Sequence, residues 1–440
     1  MEERLGVTAR DRYVWSRRVN GSLHPFTLRC YAAASCWKIP FLPFKALGLA
    51  VSAAVGAAGF RVRRSALRRK IRALPLRRVG DGVRPIAFYL PQFHAIPEND
   101  AWWGKGFTEW TNVRAAKPLY DGHFQPQVPH PDLGYYDLTD VGVMRRQAEM
   151  ARRYGVAGFC FYYYRFKDGK RLLEKPVDNW LAAKDIDFPF CFCWANENWT
   201  RAWTGGDREV LMPQDYGTEN MVGMLREMLP AFRDPRYIRI GGRPLLLVYR
   251  PEIVPDMRKV SELWRGIARE AGFDGLHLVS VQNFSEADPR TFGMDAATGF
   301  AGFHAAKPTF RHPALTPETC RVANALRYED VVACATRRRS AAYPRYRSVC
   351  PGWDNTPRKG ERGTAVIGAT PAAFRKFTAQ ASALTLVGRG TDGDGLLFVN
   401  AWNEWAESAH LEPDARNGYS NLEALRDVMD LDMKGLADSL

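Results

Sequence analysis

At 440 residues with 46 % hydrophobic and 12 % aromatic content, the chain is long and apolar enough to bury a large core, which excludes a disordered protein. Of its 62 Lys and Arg and 48 acidic residues, 17 basic residues against Glu2, Glu3 and Asp11 fall in residues 1–80, so the net charge of +14 belongs to the N-terminus and the rest balances at 45 against 45. A neutral body in which basic and aromatic residues do not interleave excludes nucleic acid as a partner.

The first 30 positions are polar and charged, unlike a secretory signal. Tyr31–Phe60 is weakly apolar but broken by Lys38, Pro40, Pro43 and Lys45. Its longest uncharged run, Ala46–Phe60, falls short of the roughly 20 residues of a membrane span. The run RVRRSALRRKIRALPLRR, Arg61–Arg78, holds nine basic residues and no acid. It reads either as a segment adhering to anionic lipid or as a solvated linker. Residues 1–80 are therefore expected to form a basic, partly apolar extension. The expected location is cytoplasmic, at the inner face of the membrane if the extension engages lipid.

From Arg84 strands alternate with helical stretches, the signature of parallel βα units. PIAFYLPQFH (85–94) reads as the first strand and is followed by a long loop rich in Trp, Pro and Gly. Asp137 and Asp140 then offer N-caps for a helix to about Tyr154 with Met144, Ala148 and Ala151 on one face. Further strands are expected at 156–164, 189–199, 244–252, 276–284, 296–300 and 346–355, and at LLFVNAWNEW near the C-terminus. Helices are expected at about 218–233, 256–271, 371–384 and 421–430. Eight strands over residues 84–430 predict an α/β fold, a (β/α)8 TIM barrel with long βα loops. A doubly wound sheet is the alternative.

The strands share a way of ending. Tyr89, Gln92 and His94 close the first, with Trp102, Trp103, Glu109 and Trp110 in the loop beyond. Tyr163 lies at the end of the second, Trp194, Asn196, Glu197 and Trp199 follow the third, and Trp353, Asp354 and Asn355 follow the seventh. The eighth runs into Trp402, Asn403, Glu404, Trp405 and Glu407. In a barrel these ends converge on one cleft. Amides and carboxylates that hydrogen-bond hydroxyls, interleaved with aromatic plates, suit a glycan substrate. Glu404 and Glu407, three residues apart, are the expected catalytic pair, because two carboxylates in one site can be pushed to different pKa values and so supply an acid and a base for a glycosidic bond. The eight cysteines are scattered without metal-ligand spacing and read as buried free thiols; no metal and no cofactor is expected.

The motifs YLPQFH, WWGKGFTEW, CWANENW, PGWDNTPR and NAWNEWAE resemble those of the WbsX-type proteins of bacterial surface-polysaccharide clusters, a group similar to glycoside hydrolase family 99. The resemblance covers roughly residues 84–413 and implies a (β/α)8 barrel acting on carbohydrate, with endo-acting α-mannosidases and α-mannanases as the hydrolase relatives. It implies Glu404 as base toward the substrate's own 2-hydroxyl and Glu407 as general acid and base at the leaving oxygen. Ala406 and Ser408 depart from the His and Gly of that family.

Two other functions compete. A glycosyltransferase using a nucleotide- or lipid-diphosphate sugar needs a place for phosphate, and TPRKGER offers Arg358, Lys359 and Arg362 after the seventh strand. Asp392-Gly-Asp394 imitates the DxD metal motif of transferases but precedes the eighth strand, which puts it at the wrong end of a barrel; no phosphate-cradling glycine motif occurs. The third reading is a non-catalytic glycan-binding barrel, which would have no need of both glutamates.

Overall fold

The computed structural model describes residues 64–201, 206–300, 322–337, 341–392 and 394–440. The apolar stretch Tyr31–Phe60 and the first residues of the basic run lie outside them. Eight parallel strands follow in chain order: β1 (Arg84–Tyr89), β2 (Gly158–Arg165), β3 (Phe190–Trp194), β4 (Arg243–Val248), β5 (His277–Gln282), β6 (Ala296–Gly299), β7 (Arg345–Val349) and β8 (Leu396–Val399). Each pairs with its chain neighbour, and β8 pairs with β1 through Arg84↔Leu396 to Ala87↔Val399, so the sheet closes into a barrel. The doubly wound alternative is thereby set aside. All eight expected strands are present; all but β2, which runs to Arg165, are shorter at their C-terminal ends, because the residues past each end have left the ladder to build loops.

Alternation along the strands decides which side chains enter the barrel. Phe88 of β1 meets Tyr162 of β2 at 5.6 Å, Phe398 of β8 at 5.7 Å and, from across the barrel, Phe300 just past β6 at 5.7 Å. A ring that touches β2, β6 and β8 at once is inside. Its neighbour Tyr89 points outward, where its hydroxyl donates to Gln147 Oε1 of the surrounding helix at 2.6 Å. The outer faces of β2 and β3 are equally aromatic: Phe159 and Phe161 pack on Trp180, and Trp194 packs on Trp264. Strands covered on both faces have to be apolar on both.

The helices from Pro97 onward are α1 (Pro97–Trp103), α2 (Glu109–Ala115), α3 (Val141–Arg153), α4 (Glu174–Ala182), α5 (Thr218–Arg233), α6 (Met257–Glu270), α7 (Tyr328–Arg337), α8 (Thr356–Lys359), α9 (Pro371–Asp392), α10 (Ser420–Asp430) and α11 (Met433–Ser439). Asp140 caps α3 by accepting from Gly142 N, and Met144, Ala148 and Ala151 face the core as expected. The loop after β1 is not plain coil. It contains α1 and α2, and the Thr108 hydroxyl caps α2 by accepting from Trp110 N. These helices are too short for a periodic pattern to reveal.

The extension read from the sequence as 1–80 needs a different boundary. Ile71 and Val79 are buried in the core cluster, and Val79 N donates to Leu431 O at 2.9 Å, so the compact unit begins at Leu67. Among the described residues no helix is long and apolar enough to cross a membrane.

Candidate active site

Three glutamates converge on one guanidinium at the C-terminal end of the barrel. Glu404 and Glu407 lie on the segment leaving β8, Glu109 is the first residue of α2, and Arg358 stands on α8 in the loop after β7. Arg358 Nη2 donates to Glu404 Oε2 at 2.8 Å, Nη1 to Glu407 Oε1 at 2.8 Å, and Nε to Glu109 Oε2 at 3.2 Å. The side chains grade from sealed to reachable: Glu109 is 0 % exposed, Glu404 6 % and Glu407 14 %. Glu407 is therefore the most exposed of the three carboxyls.

Burial lifts the Glu407 carboxyl to about 8; Arg358 pulls against this, and the negative charges of Glu404 and Glu109 add to the rise. Burial also raises Glu109, again opposed by Arg358. The arginine itself is stripped of water, yet the three carboxylates outweigh that penalty and hold its charge more firmly than usual. At neutral pH this leaves a protonated Glu407 beside Glu404, which is ion-paired to Arg358. One carboxyl can give a proton, and the other is held in place by a fixed cation.

The inner aromatic layer lies beneath this cluster. Tyr249, just past β4, packs on Tyr162 at 6.0 Å and on Phe300 at 5.5 Å, and Trp353 reaches Phe300 at 6.4 Å. Burial and then the charge of Glu404 hold the hydroxyls of Tyr162 and Tyr164 well above their ordinary range, which puts both phenols within electrostatic reach of that carboxylate. Trp199 meets Tyr164 at 5.3 Å and Trp102 at 6.1 Å, half-buried at the rim. Trp103 is half-buried beneath the Arg201 guanidinium, 5.6 Å from its ring centre.

Several residues expected in the cleft lie elsewhere. Trp402 and Trp405 are fully buried, packed on Phe159 and on Trp110 and His410, and offer no face to a sugar. Trp194, Tyr89 and Tyr163 sit on the outward faces of their strands, against Trp264, Gln147 and Phe192. Trp110 is buried with its Nε1 donating to Tyr136 O. The Asn403 amide bonds both backbone groups of Leu90, and that of Asn196 both of Arg250, so each fastens a strand end. His94 is buried, its Nδ1 against Pro91 O, and burial lowers its basicity. Gln92, also buried, accepts from Glu109 N through its backbone carbonyl.

Others support the site from behind. Asp354 accepts from His123 Nε2 at 2.6 Å and Gln125 Nε2 at 2.7 Å, while its own N–H donates to Glu407 O at 2.6 Å. Asn355 Oδ1 accepts from Thr364 N. Glu197 pairs with Arg250 at 2.8 Å. Arg358, weighed from the sequence as a phosphate ligand, is instead committed to three carboxylates; Lys359 and Arg362 are exposed. Tyr249 was missed; Tyr162 and Tyr164 fall within Tyr162–Arg165, the residues that close the second strand, and counting in twos from Cys160 sets them on the face opposite Phe159, Phe161 and Tyr163. Asp392 ends α9, and Asp394 precedes β8, at the opposite end of the barrel.

A closed parallel barrel that gathers carboxylates at the C-terminal ends of its strands has the architecture of a barrel enzyme. The chain belongs to the WbsX family, described as glycosyltransferase WbsX, whose model matches residues 85–425. It is 43 % identical over 346 residues to the protein named WxcX in two strains of Xanthomonas campestris pv. campestris, covering 78 % of this chain and 49 % of WxcX. The chain thus spans about half the length of the curated relatives it matches. Among solved structures, a glycoside hydrolase-like protein aligns with a TM-score of 0.52 at 14 % identity, over 81 % of this chain and 97 % of that one. The GH99 endo-alpha-mannosidase from Bacteroides thetaiotaomicron aligns with a TM-score of 0.49 at 15 % identity, over 78 % and 95 %. At such identities the likeness is one of fold.

Proposed function

We propose that this barrel cleaves or forms a glycosidic bond in a mannose-containing or related glycan of a bacterial surface polysaccharide, with Glu407 as general acid and base and Glu404 as base. The observation that carries the reading is the shared guanidinium: Arg358 holds Glu404 and Glu407 at 2.8 Å each, while burial keeps Glu407 protonated to about 8. A protonated, partly reachable carboxyl is suited to deliver its proton to a leaving glycosidic oxygen. On the family pattern Glu404 takes the proton of the substrate's 2-hydroxyl as that oxygen attacks the anomeric carbon, and no enzyme carboxylate becomes glycosylated. In the second half a hydroxyl of water or of an acceptor sugar attacks the anomeric carbon, Glu407 removes its proton, and Glu404 returns one to the 2-oxygen. Tyr164 and Tyr249, the half-buried members of the aromatic layer below, supply faces for the ring.

The description of the family as glycosyltransferases favours a sugar over water as the acceptor. A diphosphate-linked donor is the second reading. The commitment of Arg358 to carboxylates leaves Lys359 and Arg362 as the exposed cations of that loop for its phosphates. The test is NMR of the products formed from a panel of defined mannose-containing oligosaccharides, with and without an acceptor sugar, and from diphosphate-activated mannose donors. Shortened products without acceptor support hydrolysis, and lengthened products with acceptor support transfer. Turnover only with the activated donors would replace the first reading by the second. No change in any arm would overturn the reading as an enzyme of mannose glycans.

A further inference from the structure

Behind the three glutamates lies a fourth that the chemistry above does not use. Glu412 is 1 % exposed, and each hydrogen bond to its carboxylate comes from a different element. Gln147 Nε2 of α3 donates to Oε1 at 2.6 Å, while Tyr136 Oη and Trp405 Nε1 donate to Oε2 at 2.8 and 2.6 Å. These partners hold the backs of the segments that carry the site. Trp405 is the residue after Glu404 and opens the short turn Trp405–Glu407, with its indole clamped between His410, 3.8 Å away and nearly parallel, and Trp110 at 5.4 Å. Trp110 follows Glu109 and donates its Nε1 to Tyr136 O at 2.8 Å, and Asn403, before Glu404, reaches the Tyr136 hydroxyl at 3.4 Å. Every segment bearing one of the three glutamates is thus tied to Tyr136, Trp405 or both, and Glu412 joins those two.

The geometry points to Glu412 as a positioning residue: by anchoring Trp405 and Tyr136 from behind, it sets the placing of Glu404, Glu407 and Glu109 about Arg358. A buried carboxylate that accepts three hydrogen bonds fixes its donors in direction as well as distance, which an apolar filler cannot do. The titratable groups nearest to it are the phenols of Tyr89 and Tyr136, both held neutral by burial and then by the charge of Glu412 itself. The catalytic half of this inference rests on the function proposed above; the geometric half does not.

The network supplies its own control. In Glu412→Gln the new amide either turns its NH2 toward the NH2 of Gln147 or makes Gln147 flip, which leaves the buried Tyr89 O–H without its acceptor, so one hydrogen bond is lost either way. The double variant Glu412→Gln with Gln147→Glu exchanges the amide and the carboxylate. The amide at position 412 then donates to the carboxylate at position 147, which also accepts from Tyr89, while Tyr136 and Trp405 donate to the amide oxygen, so every bond is restored. Two readouts are followed in the full chain. The first is the titration midpoint of Glu407 by 13C-carboxyl NMR of glutamate-labelled protein, assigned by its loss in Glu407→Gln. The second is the split of kcat against KM on whichever oligosaccharide the wild type turns over.

In the single variant the midpoint is expected to fall by at least about one unit as the turn loosens and water enters, and kcat to fall about tenfold with KM little changed. Both, together with the melting temperature, are expected to return in the double variant. A lower melting temperature with the Glu407 midpoint unmoved would reduce Glu412 to a packing role and overturn the inference. So would a double variant that regains stability but not the midpoint. If the wild type turns over no oligosaccharide, the functional reading fails by itself, and the Glu407 titration still decides this one.

Discussion

Arg358 Nη1 stands 2.8 Å from Glu407 Oε1, yet that carboxyl is pushed up to about 8. A cation at hydrogen-bond distance would ordinarily hold a glutamate ionised. Here the guanidinium is shared with Glu404 and Glu109, so its charge is divided while the penalty of burial falls on Glu407 undivided. Arg358 can thus fix Glu407 in place without removing its proton.

The acid role of Glu407 has a signature in pH. Turnover is expected to hold up to about pH 8 and to fall above it as the proton is lost, an alkaline limb assigned to Glu407. Glu407→Gln should lower kcat by on the order of 100-fold or more and flatten that limb, and Glu404→Gln should lower it by on the order of 100-fold or more with the fold intact. Steady-state kinetics from pH 5 to 9 with circular dichroism of each variant checks this. A limb that persists in Glu407→Gln would assign it to another group.

Arg358→Met is expected to destabilise the barrel by about 3 kcal/mol at neutral pH, since removal of a buried cation strands the carboxylates it served. The sign of its pH dependence follows. Arg358 opposes the rise of both Glu109 and Glu407, so without it their folded-state pKa values move up further. Their protonated forms then preserve stability at low pH, and ionisation removes it as pH rises. Urea unfolding at pH 5 and pH 8 should show the larger deficit at pH 8. A deficit independent of pH would mean that the arginine contributes packing alone.

The sequence carried the fold further than the site. Apart from β6 (AATG) and β7 (RYRSV), the strands contain compact apolar runs bounded by turn residues, and that pattern survives without knowledge of what packs against it. Which face of the strand enters the cleft does not survive as well. Helices cover the outside of the barrel, so Phe159, Phe161 and Trp194 are as aromatic as Phe88 and Tyr162, and an indole at a strand end cannot be sorted from the sequence into plate or core. Glu404, Glu407 and Glu109 were legible as carboxylates beside strand ends. The tie between Arg358 and Glu109 spans 249 residues and exists only once the barrel has closed. Only the three donors of Glu412 reveal that it faces away from the cleft.

Glu412 also links stability to pH. Burial raises its folded-state pKa to about 7 against donors that favour the ionised form. An unfolded glutamate titrates near 4.3, so the contribution is fully present below that value and is lost as pH rises toward 7, by about 4 kcal/mol in all. Glutamine does not titrate, and the stability gap between wild type and Glu412→Gln should therefore narrow between pH 5 and pH 8. Chemical denaturation of the two proteins at matched pH measures the gap; one that widens would reverse the assigned direction of the shift.

The basic N-terminal segment calls for a test of its own, because residues 1–80 hold the chain's net charge while residues 81–440 balance. An enzyme acting on lipid-linked glycans gains from residence at an anionic leaflet, where each Lys or Arg contributes about 1 kcal/mol near the surface. Deletion has to stop at residue 66, since Ile71 and Val79 belong to the core and a cut at residue 80 would test folding instead of binding. Full-length protein is expected to co-sediment with phosphatidylglycerol vesicles at low salt and to be released at high salt, as screening shortens the reach of surface charge. The protein starting at Leu67 keeps the six basic residues between Arg68 and Arg78, so it should bind more weakly without losing all affinity. Equal sedimentation of the two proteins, or binding indifferent to salt, would show that residues 1–66 are not an electrostatic tether.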